Sequence, residues 1–454
     1  ITTSDDNVTF TNAVTQSGDV AIDTGSGAGN ILFKSTVATA DKNLSLDAGS
    51  AGNITADSSI TGGGAMTVVD GAVQLYSGAI TVDSLDIQDA TTSVTLDGAL
   101  TSGGAVNIDS GGTIVLNAAA SGTTFDIDAT GITTIAAAGD ITASGAVTFG
   151  ANKSGTLTTS GDIDTSNDNV TFTRGVTLGG AVDIDTNTGA GNIVFNSTVA
   201  TADKNLNLDA GASGDITLSG ALTGGGALTV RDGAVQSYQA LTVDSLNIQD
   251  ATTSVTLGGA LTSAGAVNID SGGTIGINAA ASGTTFDIDA TGVTTIAAAG
   301  DINAGGAVTF GANKSGTLTT AGEITTSDDN VTFTNAVTQS GNVEIDTGSS
   351  GDILFSSTVA TGDNDLQLDA GSAGNITAAS SITGGGAMTV VDGSVQQYSG
   401  AIDVASLNIQ DATSSVTLDG AVTTETTLDI NSRSEEHTSE LQSHSDLVCR
   451  LLLE

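Results

Sequence analysis

Proline and tryptophan are absent from this 454-residue chain, histidine occurs twice and cysteine once. Ordinary proteins carry about 5% proline, so its loss over this length needs a cause. Proline lacks the amide donor that a β-ladder requires, and a chain that is nearly all ladder excludes it. Basic residues are also scarce: 9 Lys and Arg stand against 51 Asp and Glu, for a net charge of −42 and a pI near 4.1. Such a charge repels phosphate backbones and anionic lipid, which excludes nucleic acid as a partner. No apolar run approaches the roughly 18 residues of a membrane span, so no membrane insertion is expected. Aromatics are 3% and charged residues 13%, which suits neither a bulky globular core nor a coiled coil. Length alone would allow about three globular domains, but the composition argues against them.

What is present divides at Arg433. Residues 433–454 hold both histidines (His437, His444), the one cysteine (Cys449), two of the nine basic residues and five acids. Leu447, Leu451 and Leu452 could face a solenoid end as an amphipathic cap. The string RSEEHTSELQSHSDLVCRLLLE, however, resembles the in-frame translation of a sequencing-library adapter. It is set aside from fold reasoning as a non-native tail, and no thiol, metal or histidine chemistry is built on it. The remaining body has 7 basic and 46 acidic residues, with no Cys or His. Because it starts at Ile1 without a methionine or a signal-peptide pattern, it reads as a fragment of a longer reading frame.

Two nested repeats organise the body. SDDNVTF at Ser4 returns as SNDNVTF at Ser166 and SDDNVTF at Ser327. STVATADKNL, ASGTTFDIDATG and TFGANKSGTLTT recur at nearly the same offset. This gives units 1–165 and 166–326, with a truncated third at 327–432. Within each unit, one short element reads Asn, Asp or Ser, then apolar, any, apolar, three residues, apolar. Examples are NVTFTNAV (Val8, Phe10, Val14), NILFKSTV (Ile31, Phe33, Val37) and NITADSSI (Ile54, Ala56, Ile60). The i, i+2 apolar pair is strand alternation, and the apolar residue four positions on suits a bend into a second short strand. Phe10, Phe33, Phe172, Phe195, Phe333 and Phe355 hold such apolar positions and are expected to point inward.

A second element places Asp after an apolar residue, then usually Gly: VAIDTG, LSLDAG, TVVDG, VNIDSG and FDIDATG, with LDIQDA as a variant. The acids are Asp23, Asp47, Asp70, Asp89, Asp109 and Asp128. Each follows the last after about one coil of ~21 residues. One short strand pair cannot bury its apolar side, but stacked copies can. The expected fold is therefore all-β: a parallel β-solenoid (β-helix) of about 20 residues per coil, eight coils to each long unit. At ~4.8 Å per coil, about 21 coils would span roughly 100 Å. A string of antiparallel β-sandwiches competes, but it would need longer strands and more core aromatics.

The style of units such as NVTFTNAVTQSGDVAIDTGSGAGNILF resembles giant bacterial secreted repeat proteins of the filamentous-haemagglutinin-like adhesin class. The resemblance covers essentially residues 1–432. It implies a right-handed parallel β-helix at the bacterial cell surface or outside the cell, an extended stalk or adhesive filament whose partner is a host surface, glycan or biofilm matrix.

Chemistry is sparse. Nucleophilic catalysis needs a base, and the body has no His or Cys. Asp126 and Asp128 could serve as the paired carboxylates of a polysaccharide-acting β-helix enzyme, but they recur as Asp287 and Asp289, and repetition favours scaffolding. The reading is non-catalytic, with no required cofactor. Calcium is the candidate ion: Asp oxygens are hard ligands, and Asp23, Asp47, Asp70, Asp89, Asp109 and Asp128 should form one column along an edge, as should Asp185, Asp209, Asp232, Asp250, Asp270 and Asp289. The competing reading makes each a turn residue with a local bond to its own backbone; a calcium-stabilised structural protein of the surface-layer kind is the remaining alternative. The GGG runs at Gly62, Gly224 and Gly384 read as turns. Tyr76, Tyr238 and Tyr398, one per unit, read as exposed ligand contacts or as packing over a loop. A regular Thr ladder in every coil, which ice binding would need, is missing.

Overall fold

The computed structural model describes residues 1–431 and the backbone of Leu451–Leu452. The expectations for His437, His444, Cys449 and the remaining tail lie outside the described residues. The fold is all-β, with no helix among the described residues, and its parallel strands stack as a β-solenoid of about 20 turns with ~21 residues per coil. It divides into two compact units, Ile1–Ala234 and Val235–Glu454.

In the first unit, each coil lays down three short strands. Val8–Phe10, Val14–Thr15 and Val20–Asp23 are followed one coil later by Ile31–Phe33, Val37–Ala38 and Leu44–Asp47. The partners match in type: Val8 pairs with Ile31, Phe10 with Phe33, Val14 with Val37 and Ile22 with Leu46. Alternate residues point inward, so the core of this unit is a stack of like residues, including Ile31, Ile54, Val94 and Ile114, none with measurable exposure. Aromatic rings stack with them. Phe149, Phe172 and Phe195 lie face to face with centroids 5.4 and 4.5 Å apart.

The second unit repeats the scheme, with Phe310, Phe333 and Phe355 stacked at 5.4 and 4.7 Å. Of the phenylalanines expected inward, Phe33, Phe172, Phe195, Phe333 and Phe355 are buried. Phe10 is half-buried and stacks on Phe33 at 5.0 Å. Leu451–Leu452 pairs antiparallel with Thr417 and Leu418 in this unit.

The long repeat does not contain eight coils. The strand Val8–Phe10 is the first in the chain, and its copy Val170–Phe172 is the twenty-fourth. As far as Ile382–Gly384, each strand pairs with the third one after it, so 23 strands make seven and two-thirds coils. The copies therefore lie on different faces. In the first unit, the column begun by Val8–Phe10 continues through Ile31–Phe33 and Ile54–Ala56, whereas Val170–Phe172 stacks on Val147–Phe149 and Phe125–Ala129. In the second unit, Val235–Tyr238 stacks on Ser254–Leu257, while its copy Val395–Tyr398 stacks on Ile376–Ala378 and Ile353–Phe355. Spacing alone conceals this, because one residue more or less per coil moves the long repeat between a whole and a fractional number of coils.

The GGG runs at Gly62 and Gly224 lie between strands, as expected of turns, whereas the third begins inside a strand, Ile382–Gly384, and only Gly385 and Gly386 form the bend. Gly62, Gly63 and Gly64 have φ of 112°, 76° and 73°, a region that L side chains avoid. A Cβ on Gly64 would also lie 2.1 Å from the Lys42 carbonyl oxygen.

Candidate functional site

Two positions recur for the acids, and only one is legible as a pattern of Asp. The first is the strand exit. Asp23, Asp47 and Asp70 are in register across three coils, and Asp109 pairs with Asp128. Asp89 is an electrostatic neighbour of Asp70. The carboxylates here bond locally. Asp23 Oδ1 accepts from Gly25 N–H at 2.8 Å and Asp47 Oδ1 from Gly49 N–H at 3.0 Å. Asp209 and Asp369 do the same for Gly211 and Gly371. These are the Asx turns of the competing reading.

The second set of acids does not continue the first column. Asp185 and Asp209 are in register with each other and with Asp164, and that column is a different face from the one carrying Asp23. The cause is the repeat of 23 strands. Asp209 also pairs with Asp232 and Asp270 with Asp289, and the main-chain oxygen of Asp250 accepts from Gln236.

The other position is the strand entrance, and there the Asn or Asp before each strand binds the next coil. Asn7 Oδ1 accepts from Asn30 N–H at 2.8 Å, Asn30 Oδ1 from Asn53 N–H at 2.8 Å, and Asn53 Oδ1 from Val73 N–H at 3.1 Å. Asp140, Asp162 and the amide of Asp183 form a similar series. The Asn, Asp or Ser that opens the short element is the available signal for these ladders.

The densest chemistry lies under the GANKSG loop. In the first unit this loop leaves the strand Val147–Phe149 and folds over the outward side of Asp109 and Asp128. Lys153 Nζ pairs with Asp109, and Asn152 donates to Asp128 from its main-chain N–H at 3.2 Å and from Nδ2 at 2.7 Å. Asp128 is 3% exposed. Asp126 stands beside them with Oδ1 buried and unpartnered. Burial, then the charges of Asp128 and Asp109, push the Asp126 carboxyl above the ordinary carboxylate range. The second unit repeats the cluster with Lys314 on Asp270, Asn313 on Asp289, and a raised Asp287. Below the loops lie small, partly open cavities of about 10 Å³ each, lined in the first unit by Ile127, Phe149, Leu157 and Phe172, space for one water at most.

Among the described residues, no three acids converge as a metal centre. Burial and neighbouring carboxylates nonetheless raise Asp70, Asp164, Asp209 and Asp369. Asp328 is lowered by hydrogen bonds from Ser349.

The tyrosines are neither exposed contacts nor loop packing. Tyr76, Tyr238 and Tyr398 are fully buried in the core. Each hydroxyl donates to the glutamine two residues earlier, Tyr76 to Gln74 Oε1 at 3.2 Å and Tyr238 to Gln236 Oε1 at 2.8 Å. Gln74 Nε2 in turn donates to the Asp89 carbonyl at 3.2 Å. In the first unit Tyr76 lies in register with Ala56, a large side chain over a small one.

Comparison with family models, with curated proteins and with solved structures finds no match for this chain.

Proposed function

We propose that this chain is a non-catalytic structural and adhesive segment of a large bacterial surface or secreted protein. One observation carries the reading: the cluster that joins lysine to carboxylates recurs in the next long repeat with the same partners, Lys153 with Asp109 and Lys314 with Asp270. An active site needs one distinctive cleft, whereas a spacer needs the same joint many times. In both copies two of the three carboxylates, Asp109 and Asp128 in one and Asp270 and Asp289 in the other, are engaged by the chain's own Lys and Asn, which supports a role in holding coils together rather than in attacking a glycosidic bond. Extracellular placement is part of the same proposal, supported by the likeness of the repeat units to those of secreted repeat proteins. Calcium enters as a neutraliser of the stacked acids and not as a required cofactor.

The test is an assay for reducing ends and unsaturated products on a panel of plant, bacterial and animal polysaccharides. The proposal expects no turnover on any of them. Turnover abolished by Asp126→Asn would replace it with the polysaccharide-cleaving enzyme.

A further inference from the structure

In the first unit, the column begun by Val8–Phe10 turns one sheet face to solvent, and its middle row carries no charge. From Thr9 the row passes in register through Leu32, Thr55, Leu75 and Thr95 and on to Thr158, eight successive coils of threonine, leucine and valine. In a chain of net charge −42 the row itself is neutral: charge on this column is confined to the strand exits, at Lys34, Asp57 and Asp97, and the stacked Asp109, Asp126 and Asp128 lie on another column. The second unit presents the same sequence pattern as an open groove of about 350 Å³, in which Thr332, Leu354 and Thr377 form the floor and Asn330, Asp352 and Asn375 one wall. The wall is rigid: Asp352 Oδ1 accepts from Asn375 N–H at 2.8 Å and Nδ2 at 3.0 Å.

We propose that these faces dock an extended neutral polysaccharide, an inference that rests on the adhesive reading and names its partner. Charge decides among occupants. Polyanionic glycans and other copies of this chain are repelled by the acids, and a polycation would be drawn to the denser stack of Asp109, Asp126 and Asp128 more than to a neutral row with isolated acids at its edge. A neutral sugar polymer offers C–H faces to Leu32, Leu75 and Leu354 and hydroxyls to the threonines. A row that repeats every coil, at ~4.8 Å, suits a long chain held by many weak contacts, each adding to the avidity.

The experiment measures retention of the whole chain on insoluble cellulose and chitin, on alginate and heparin gels, and on protein-coated surfaces. Retention on at least one neutral glycan is expected, with none on the polyanions. A variant carrying Leu32→Glu, Leu75→Glu and Leu354→Glu should bind about tenfold or more weakly, the equivalent of ~1.4 kcal/mol. Circular dichroism checks its fold, and Leu32→Gln with Leu75→Gln and Leu354→Gln stands in if the charged variant unfolds. Absence of retention on every neutral glycan, or retention unchanged in a folded variant, overturns the inference. Binding to protein-coated surfaces alone would overturn it while leaving the adhesive reading standing, and binding to no surface would count against both.

Discussion

Gln74 and Tyr76 form a polar pair inside an apolar core, and their position inverts the usual alternation. Val73 faces outward at 39% exposure while Gln74 is fully buried. A residue-by-residue hydropathy reading puts the valine inside, and by that reading the tyrosine is peripheral. The register decides otherwise, because Tyr76 must align with Ala56 and Leu96 in the neighbouring coils. Removing the hydroxyl in Tyr76→Phe leaves Gln74 Oε1 buried without a partner, so a loss of about 1–3 kcal/mol is expected in urea unfolding. Adding Gln74→Leu should recover part of it, since both polar groups are then gone. Additive losses in the double variant would show that the two residues do not act as a pair. Phe33, Phe172, Phe195, Phe333 and Phe355, by contrast, are legible at once: each sits two residues after another inward residue in a strand, with threonine or another outward residue between them.

At the scale of the element, the GANKSG loop is a strap across successive coils. Lys153 reaches back two coils to Asp109, and Asn152 reaches back one to Asp128. The sequence displays the loop as a recurring string and the acids as a recurring column, but nothing in their spacing links the two. That link needs three-dimensional register, and the column itself is half legible for the same reason. Asp23, Asp47 and Asp70 align, but Asp185 and Asp209 fall on another face because a repeat of 23 strands is not a whole number of coils. Partly exposed ion pairs contribute ~0–1 kcal/mol, so Lys153→Met should lower stability only slightly. Its clearer effect should be local: faster amide hydrogen exchange in residues 150–155, with the counterpart loop at 311–316 unchanged. Exchange that rises equally in both loops would mean that the lysine supports the fold generally and not its own strap.

For the whole molecule, the net charge of −42 governs how stability responds to pH and salt. Asp70, Asp126, Asp164, Asp209, Asp287 and Asp369 all have carboxyls raised above the ordinary value of 3.8. A raised folded-state value means that the folded chain binds these protons more tightly than the unfolded chain, so stability falls as pH rises through it. The melting temperature should therefore climb as pH is lowered from neutral towards 3.8. Loss of the bonds to Asp328, whose value is lowered, opposes the trend only below that point. A midpoint that falls steadily from pH 7 to 5 would contradict this assignment. Salt acts in the same direction by screening, and calcium should raise the midpoint more than sodium at matched ionic strength. Equal effects would reduce the acids to turn residues and remove calcium from the account.

Seven and two-thirds coils per repeat also bears on how such a gene changes length. A duplication that copies 23 strands leaves every strand on a new face, yet in both compact units the copied strands pair as well as the originals. The three faces accept the same strands, and the requirement on a recombination event is that it join strand to strand, with no need to conserve a full turn. Crossovers between misaligned copies can then yield in-frame products that still stack, which lets a population carry alleles of many lengths. Each change in copy number also redirects the surfaces of the inserted segment, so length and binding direction vary together.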